Sequence, residues 1–319
     1  MKIFVTGTAG FIGMHVAESL LADGHEVVGL DNFNDYYDVS LKEARFQRLE
    51  KRNGFTQIRG DLSNYELLTE NFELHEPQLV CHLAAQAGVR YSLQNPAAYQ
   101  KSNLEGHLNI LEACRHAKIK RLVYASSSSV YGGNKKIPFS ESDPVDNPVS
   151  LYAATKKADE LMSHTYTHLY GLQTVGLRFF TVYGPWGRPD MAYWTFTEAM
   201  LKGAAIPVFN YGKMERDFTY ITDIVAGVKA ALFAEGLDPY EIFNLGNNRP
   251  ENLMDFIKTL ASALGIEPKM EMLPMQPGDV PVTFADISKA RKKLGYAPQT
   301  AFSAGLPEFI KWYRDYYRA

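Results

Sequence analysis

The chain is poor in cysteine, with only Cys81 and Cys114 in 319 residues. Each lies in an apolar pattern, which reads as buried packing rather than a disulfide or a ligand pair. That usage suits a reducing compartment, so a cytoplasmic location is expected. No apolar run approaches the roughly 18 residues that a membrane span needs, and no membrane partner is expected. Met1 and Lys2 run straight into a strand-like Ile3-Phe4-Val5, so no signal peptide is expected either. An excess of one charge sign is also missing. A net charge of −3 gives nucleic acid nothing to select. Internal repeats and low-complexity tracts are absent, which excludes solenoids and long linkers. What remains is an ordinary globular composition, 46% hydrophobic and 22% charged, long enough for more than one domain but not three.

What is present is strand alternating with helix. Residues 2–6 read as a buried strand that runs into Gly7-Thr8-Ala9-Gly10-Phe11-Ile12-Gly13 and a helix carrying Val16, Leu20 and Leu21. Glycines let backbone approach a pyrophosphate, and a helix start offers free N–H groups and a positive dipole end. The spacing is G-x-x-G-x-x-G rather than G-x-G-x-x-G, but a strand before and a helix after give the motif its context. The second strand, 26–30, ends at Asp31-Asn32, where an acid accepts from adenosine ribose hydroxyls. That carboxylate repels a 2′-phosphate and no Arg follows directly, so NAD is expected over NADP. A third strand, 55–59, ends at Gly60-Asp61-Leu62, and Asp61 is a candidate for the adenine amino group. A fourth, 78–83, is followed by the small Ala84-Ala85, which leave room for a flat ligand. His82 within it reads as a core residue. Helices are expected over 41–51, 65–74 and 103–117, the last with Leu104, Leu108, Leu111 and Ala113 on its apolar side.

Strand five, 121–125, runs into Ser126-Ser127-Ser128-Ser129. Four serines at a strand's C-terminal end are poor core and good hydrogen-bonders, and ligands bind at such ends in open parallel sheets. The next helix, 150–170, carries Tyr152 and Lys156. Four residues apart, they share one helix face. An adjacent cation favours the ionised form of a phenol, and a phenolate is a general base for a sugar hydroxyl. Alone the pair is an exposed helical coincidence; beside a nicotinamide it is chemistry. After strand six, 173–178, the alternation gives way to turn-rich sequence. The expected fold is α/β: a doubly wound parallel (Rossmann) sheet plus a smaller C-terminal substrate-binding cap. Residues 1–180 plus about 213–247 are expected to form the NAD-binding domain. About 181–212 plus 248–319 are expected to bind the nucleotide sugar.

Together, the glycine loop, the strand-end Asp, the serine cluster and Tyr-x-x-x-Lys resemble an extended short-chain dehydrogenase/reductase along essentially the whole length. Arg216-Asp217-Phe218-Thr219-Tyr220 and Pro277-Gly278-Asp279-Val280 resemble its nucleotide-sugar epimerase branch. Asp31-Asn32-Phe33-Asn34-Asp35-Tyr36-Tyr37 and Ala85-Gln86-Ala87-Gly88-Val89-Arg90-Tyr91 are similar to UDP-glucuronate 4-epimerases. The resemblance implies C4 epimerisation of a UDP-sugar on a retained NAD, with Tyr152 as acid/base and Lys156 beside it. Ser127, within one residue of counting, is the hydroxyl at the C4 oxygen. It assigns the pyrophosphate to the loop from Gly7 through Ala9, Gly10, Phe11 and Ile12 to Gly13. It assigns ribose to Asp31, Asn32 and Asn34, and adenine to Asp61 and Leu62. Leu83, Ala84, Ala85, Gln86 and Asn103 then lie near the cofactor.

For the substrate, Arg216 resembles a diphosphate clamp, because a guanidinium forks onto phosphate oxygens. Asp279 resembles the uridine-ribose acceptor. Gln276 stands where hexose epimerases usually carry Arg, so Arg90 is a candidate to supply the missing contact. Ser128, Thr181 and Arg188 suit a C6 carboxylate. Homodimerisation is implied through the helices starting near 103 and 150. No metal is expected. UDP-glucuronate decarboxylase, UDP-glucose 4-epimerase and a non-catalytic NAD-binding regulator stay open as rival readings.

Overall fold

The structure is a computed structural model that describes residues 1–275 and 281–318. The strands are β1 Lys2–Thr6, β2 Glu26–Asp31, β3 Phe55–Arg59, β4 Leu79–His82, β5 Arg121–Ser127, β6 Gln173–Phe179, β7 Thr181–Tyr183, β8 Ala205–Val208, β9 Glu215–Tyr220, β10 Tyr240–Leu245, β11 Pro250–Asn252, β12 Lys269–Met272 and β13 Val282–Thr283. The helices are α1 Phe11–Ala22, α2 Val39–Glu50, α3 Tyr65–His75, α4 Tyr91–Gln94, α5 Pro96–Tyr99, α6 Gly106–His116, α7 Leu151–Tyr170, α8 Ala192–Leu201, α9 Ile221–Phe233, α10 Leu253–Leu264, α11 Ser288–Leu294 and α12 Phe302–Tyr317.

Strands with unbroken apolar runs are those covered on both faces, and a parallel sheet is the arrangement that covers them. Seven strands pair in the order β10-β6-β5-β4-β1-β2-β3, every pair parallel. The pleat sorts the strand residues between two cores. Ile3 and Val5 join one core with Val16 and Leu20 of α1 and Val228 of α9. Phe4 between them joins the other, with Leu68 of α3 and Ile110 of α6. The expected doubly wound sheet is therefore present, with β10 as a seventh strand that the sequence pattern did not announce.

The smaller unit has its own aromatic core. Tyr183, Trp194, Phe218, Phe256 and Phe309 pack there, and Phe218 stacks on Phe256 at 5.0 Å. Its strands run β11-β9-β13, with β7 also on β9 and β12 on β8.

Three local expectations need correction. The helix expected over 103–117 opens as a π-helical turn, Gln100–Glu105, before α6. Leu108 is not on its apolar side but 41% exposed; the buried stripe runs through His107, Ile110, Leu111 and Cys114. The segment carrying Ala285, Ile287, Ala290 and Tyr296 packs in the core of the parallel sheet, although it lies within the stretch assigned to the cap.

Candidate active site

Between β1 and β4 the chain reverses its direction of travel across the sheet. The C-terminal ends of the strands leave a crevice at such a point. A cavity of about 750 Å³ opens there. The glycine loop forms its floor, and its closeness explains the residue type. Gly7 has φ 78°, and a Cβ on it would lie 2.9 Å from the Ala84 nitrogen. A Cβ on Gly13 would sit 2.0 Å from the Gly7 carbonyl oxygen. Only hydrogen fits, so turn, helix and neighbouring strand close on one another. Gly10 caps α1 with no side-chain hydrogen bond.

Asp31 ends β2, and its carboxylate accepts from Ala9 N at 3.0 Å and from Phe33 N at 2.8 Å. Burial pushes its carboxyl above the usual range, against those two donors and Lys42. Asn32 donates to Asp61 at 3.0 Å. Leu62, Leu83, Ala84, Ala85 and Gln86 continue the wall, with Asn34 near Asp31. Asn103 is not in the wall. It is buried, its amide oxygen accepts from Gln86 N at 2.8 Å, and its amide nitrogen donates to Gln86 O and the Thr155 hydroxyl. It shapes the loop that meets the cavity rather than the cavity itself.

All four serines of the cluster line the cavity, and their hydrogen bonds differ. Ser126 donates to Glu160 at 2.7 Å, inside the buried Glu160–Arg178 pair. Ser127 caps the short 3-10 turn that follows, accepting from Ser129 N at 3.2 Å, and faces the cavity with Ser128. Helix α7 is started by Ser150, which accepts from Ala153 N at 3.1 Å. That cap fixes where Tyr152 and Lys156 point. Both line the cavity. The Tyr152 ring sits edge-on to Tyr99 at 6.0 Å. Lys156 is buried, and its ammonium donates to Asp159 at 2.7 Å.

Arg188, Thr181 and Arg90 also line the cavity. Arg188 does not arrive with an unpartnered charge. Its Nε donates to Asp190 at 3.0 Å, and Tyr36 donates to the same carboxylate at 3.0 Å. Arg216 is not in the wall; its Nη1 donates to the carbonyls of Glu215 and Pro281 at 2.9 and 3.1 Å. Gln276 and Asp279 lie outside the described residues.

The sequence reading missed four participants. Tyr36 and Asp190 both line the cavity and join two loops by their hydrogen bond. Lys42 lines the wall and is tied to Asn34; burial pushes its ammonium down to about 8. Arg45 is fully buried and donates to the carbonyls of Ala9, Trp186 and Gly187. For Asp190 a signal existed, an acid two residues after an Arg in a turn. For Arg45 none did, because its helix reads as charged and solvated.

A glycine cradle at the switch point of a parallel sheet, with a Tyr–Lys helix on the same cavity, defines a dinucleotide-binding enzyme of the Rossmann type. Residues 3–246 match the NAD dependent epimerase/dehydratase family, and the chain belongs to that family. It is 50% identical to UDP-glucuronate 4-epimerase 4 of Arabidopsis thaliana, over 99% of this chain and 76% of that protein. The crystal structure of UDP-glucuronic acid 4-epimerase from Bacillus cereus, in complex with UDP-glucuronic acid and NAD, superposes with a TM-score of 0.94 at 37% identity, covering 99% of this chain and all of that one. The UDP-glucose 4-epimerase of Thermotoga maritima, solved with UDP-glucose, gives 0.88 at 30% identity, covering 99% and 100%.

Proposed function

We propose that this protein is a UDP-glucuronate 4-epimerase, converting UDP-glucuronate to UDP-galacturonate through a transient 4-keto sugar on bound NAD. One observation carries the reading: Tyr152, Lys156 and Ser127 share a cavity with the glycine loop, and Arg188 stands in the same wall. The match to UDP-glucuronate 4-epimerases over nearly the whole chain supports it.

The residues present fit NAD. The glycine loop leaves no room for side chains where a pyrophosphate would lie against backbone. The Asp31 carboxylate at the end of β2 suits ribose hydroxyls and opposes an added phosphate. When bound, NAD accepts the hydride from C4 and returns it to the opposite face of the ketone.

The chain's residues do the rest. Tyr152 as phenolate takes the C4 hydroxyl proton when the hydride leaves and gives it back when the hydride returns. Lys156 supplies positive charge beside it, and Ser127 donates to the C4 oxygen. Ser128, Thr181 and Arg188 hold the C6 carboxylate. A 4-keto uronic acid is a β-keto acid, so these contacts also keep the carboxylate out of line with the carbonyl π-system and suppress loss of CO₂. Arg216 and Asp279 are the proposed contacts to diphosphate and uridine ribose, and Arg90 and Gln276 are further proposed substrate contacts. The exposed Leu108 on α6 and Leu161 and Leu169 on α7 suit a second copy of the chain, giving a homodimer. No helix among the described residues is long and apolar enough to cross a membrane; the proposed setting is the cytoplasm.

The test is incubation of purified protein with UDP-glucuronate, without added NAD, followed by chromatography and mass analysis. UDP-galacturonate of unchanged mass is expected, and Tyr152→Phe should lower kcat by about two to four orders of magnitude. A product lighter by CO₂ would make the protein a decarboxylase. Turnover of UDP-glucose with none of UDP-glucuronate would make it a hexose epimerase. No turnover of either would leave an NAD-binding regulator.

A further inference from the structure

We propose that Asp159 is a positioning residue for the Lys156 ammonium and, through that charge, sets the pH at which Tyr152 works as a base. The inference rests on the roles given above to Tyr152 and Lys156. Asp159 lies outside the cavity wall.

Three side chains on α7 are stacked within two turns: Tyr152 and Lys156 toward the cavity, and Asp159 below them. The Lys156 and Asp159 side chains are 3% and 0% exposed, with Nζ 2.7 Å from Oδ2. The other carboxylate oxygen, Oδ1, is buried and has no hydrogen-bond partner among the described residues. A carboxylate so placed has one strong reason to ionise, the ammonium beside it.

The remaining groups facing it supply no second cation. Glu160, next on the same helix, is committed to Arg178 at 2.8 Å and to Ser126. His107 on α6 bonds Ser163 at 2.9 Å, and His82 on β4 bonds Thr6 at 2.7 Å. The two imidazoles stack at 5.3 Å. Burial holds both well below their ordinary value, that of His82 at about 3, so both are neutral near neutral pH.

Lys156 therefore has two duties that conflict. It must stay protonated in a buried place, which a counter-ion favours. It must also present positive charge to the phenol, which the same counter-ion weakens. Asp159 sets the balance. Burial, opposed by Lys156, pushes its carboxyl up to about 6. Above that pH the carboxylate damps the field of the ammonium at Tyr152. As pH falls through that value the carboxylate takes up a proton and the field acts undiminished.

The experiment is the pH dependence of kcat/KM for the holoenzyme and for Asp159→Asn, which keeps shape and removes charge. The acid limb should move to lower pH in the variant by about one unit. The two profiles should converge as pH falls below the titration of Asp159. Asp159→Ala should move the limb the same way. A second readout needs no substrate: the ultraviolet absorbance of phenolate against pH, taken as wild type minus Tyr152→Phe and as Asp159→Asn minus its Tyr152→Phe double variant. The Asp159→Asn difference should rise at the lower pH. Unmoved limbs and coincident absorbance curves, with only a lower kcat or melting temperature, would make Asp159 a packing residue and overturn the proposal. If UDP-glucuronate is not turned over at all, the functional reading fails on its own, while the absorbance titration still decides the role of Asp159.

Discussion

Asp190 holds Arg188 side-on: Oδ1 takes Nε at 3.0 Å, Oδ2 takes Nη2, and Nη1 has no hydrogen-bond partner among the described residues. A guanidinium has two edges that can fork onto carboxylates. Asp190 occupies one and fixes the plane; under the proposed function the end-on edge takes the C6 carboxylate. Asp190 is itself steadied by the Tyr36 hydroxyl. Burial and the Asp190 carboxylate together push the Tyr36 phenol up to about 12, so it remains a donor.

Arg188→Ala should therefore cost roughly tenfold to hundredfold in kcat/KM for UDP-glucuronate, the worth of a hydrogen bond to a charged group. It should also raise the pentose fraction among products, because the carboxylate is freed to align with the ketone. Arg188→Lys should not rescue either effect, since an ammonium cannot fork. Product ratios by chromatography check this, and an unchanged pentose fraction would remove Arg188 from the carboxylate site.

Gly13→Ala tests the cradle. The added methyl would meet a backbone oxygen at 2.0 Å, which no rotamer relieves. NAD affinity should fall by about 100-fold or more, since the turn must open to admit the methyl. Calorimetric titration of NAD into stripped protein measures it, with circular dichroism as the control for folding.

Arg45 joins α2 to the loop that ends in Arg188. Its guanidinium donates to Trp186 O and Gly187 O at 2.7 Å and to the Tyr37 hydroxyl. Arg45→Met keeps bulk but leaves buried carbonyls unpaired, so a loss of about 3 kcal/mol is expected in urea unfolding. Because the loop carries Arg188, KM for the uronic acid should rise as well.

Asp217 gives a pH dependence of stability. It is buried on β9, accepting from Asn247 N at 2.6 Å and from Asn248 N and Ala285 N at 3.0 Å each. Burial outweighs these donors and pushes its carboxyl from 3.8 up to about 6. The folded state thus keeps a proton that the unfolded chain releases. Its contribution is complete below about 4 and is lost as pH rises through about 6, by about 3 kcal/mol in all. Asp217→Asn should flatten that part of the profile. Urea midpoints at closely spaced pH values across this window provide the comparison.

The sequence alone carried the parallel sheet, because runs such as Ile3-Phe4-Val5 tolerate only burial on both faces. It carried the cradle, because Gly7 and Gly13 occupy places where backbone meets backbone. It carried the Tyr152–Lys156 pair, because one helical turn separates them whatever surrounds the helix. These are local constraints, and periodicity exposes them. Tertiary structure alone tied Ser126 to Glu160, which reaches it from a different element. It turned Leu108 outward and His107 inward, because the packing of α6 against its neighbours, not the spacing of leucines, chose the buried stripe. It moved Asn103 behind the wall, buried Arg45 under a loop more than a hundred residues away, and brought Tyr36 to Asp190. Partners drawn from distant segments, such as the Trp186 and Gly187 carbonyls on Arg45, leave no periodic trace, so only the folded chain could show them.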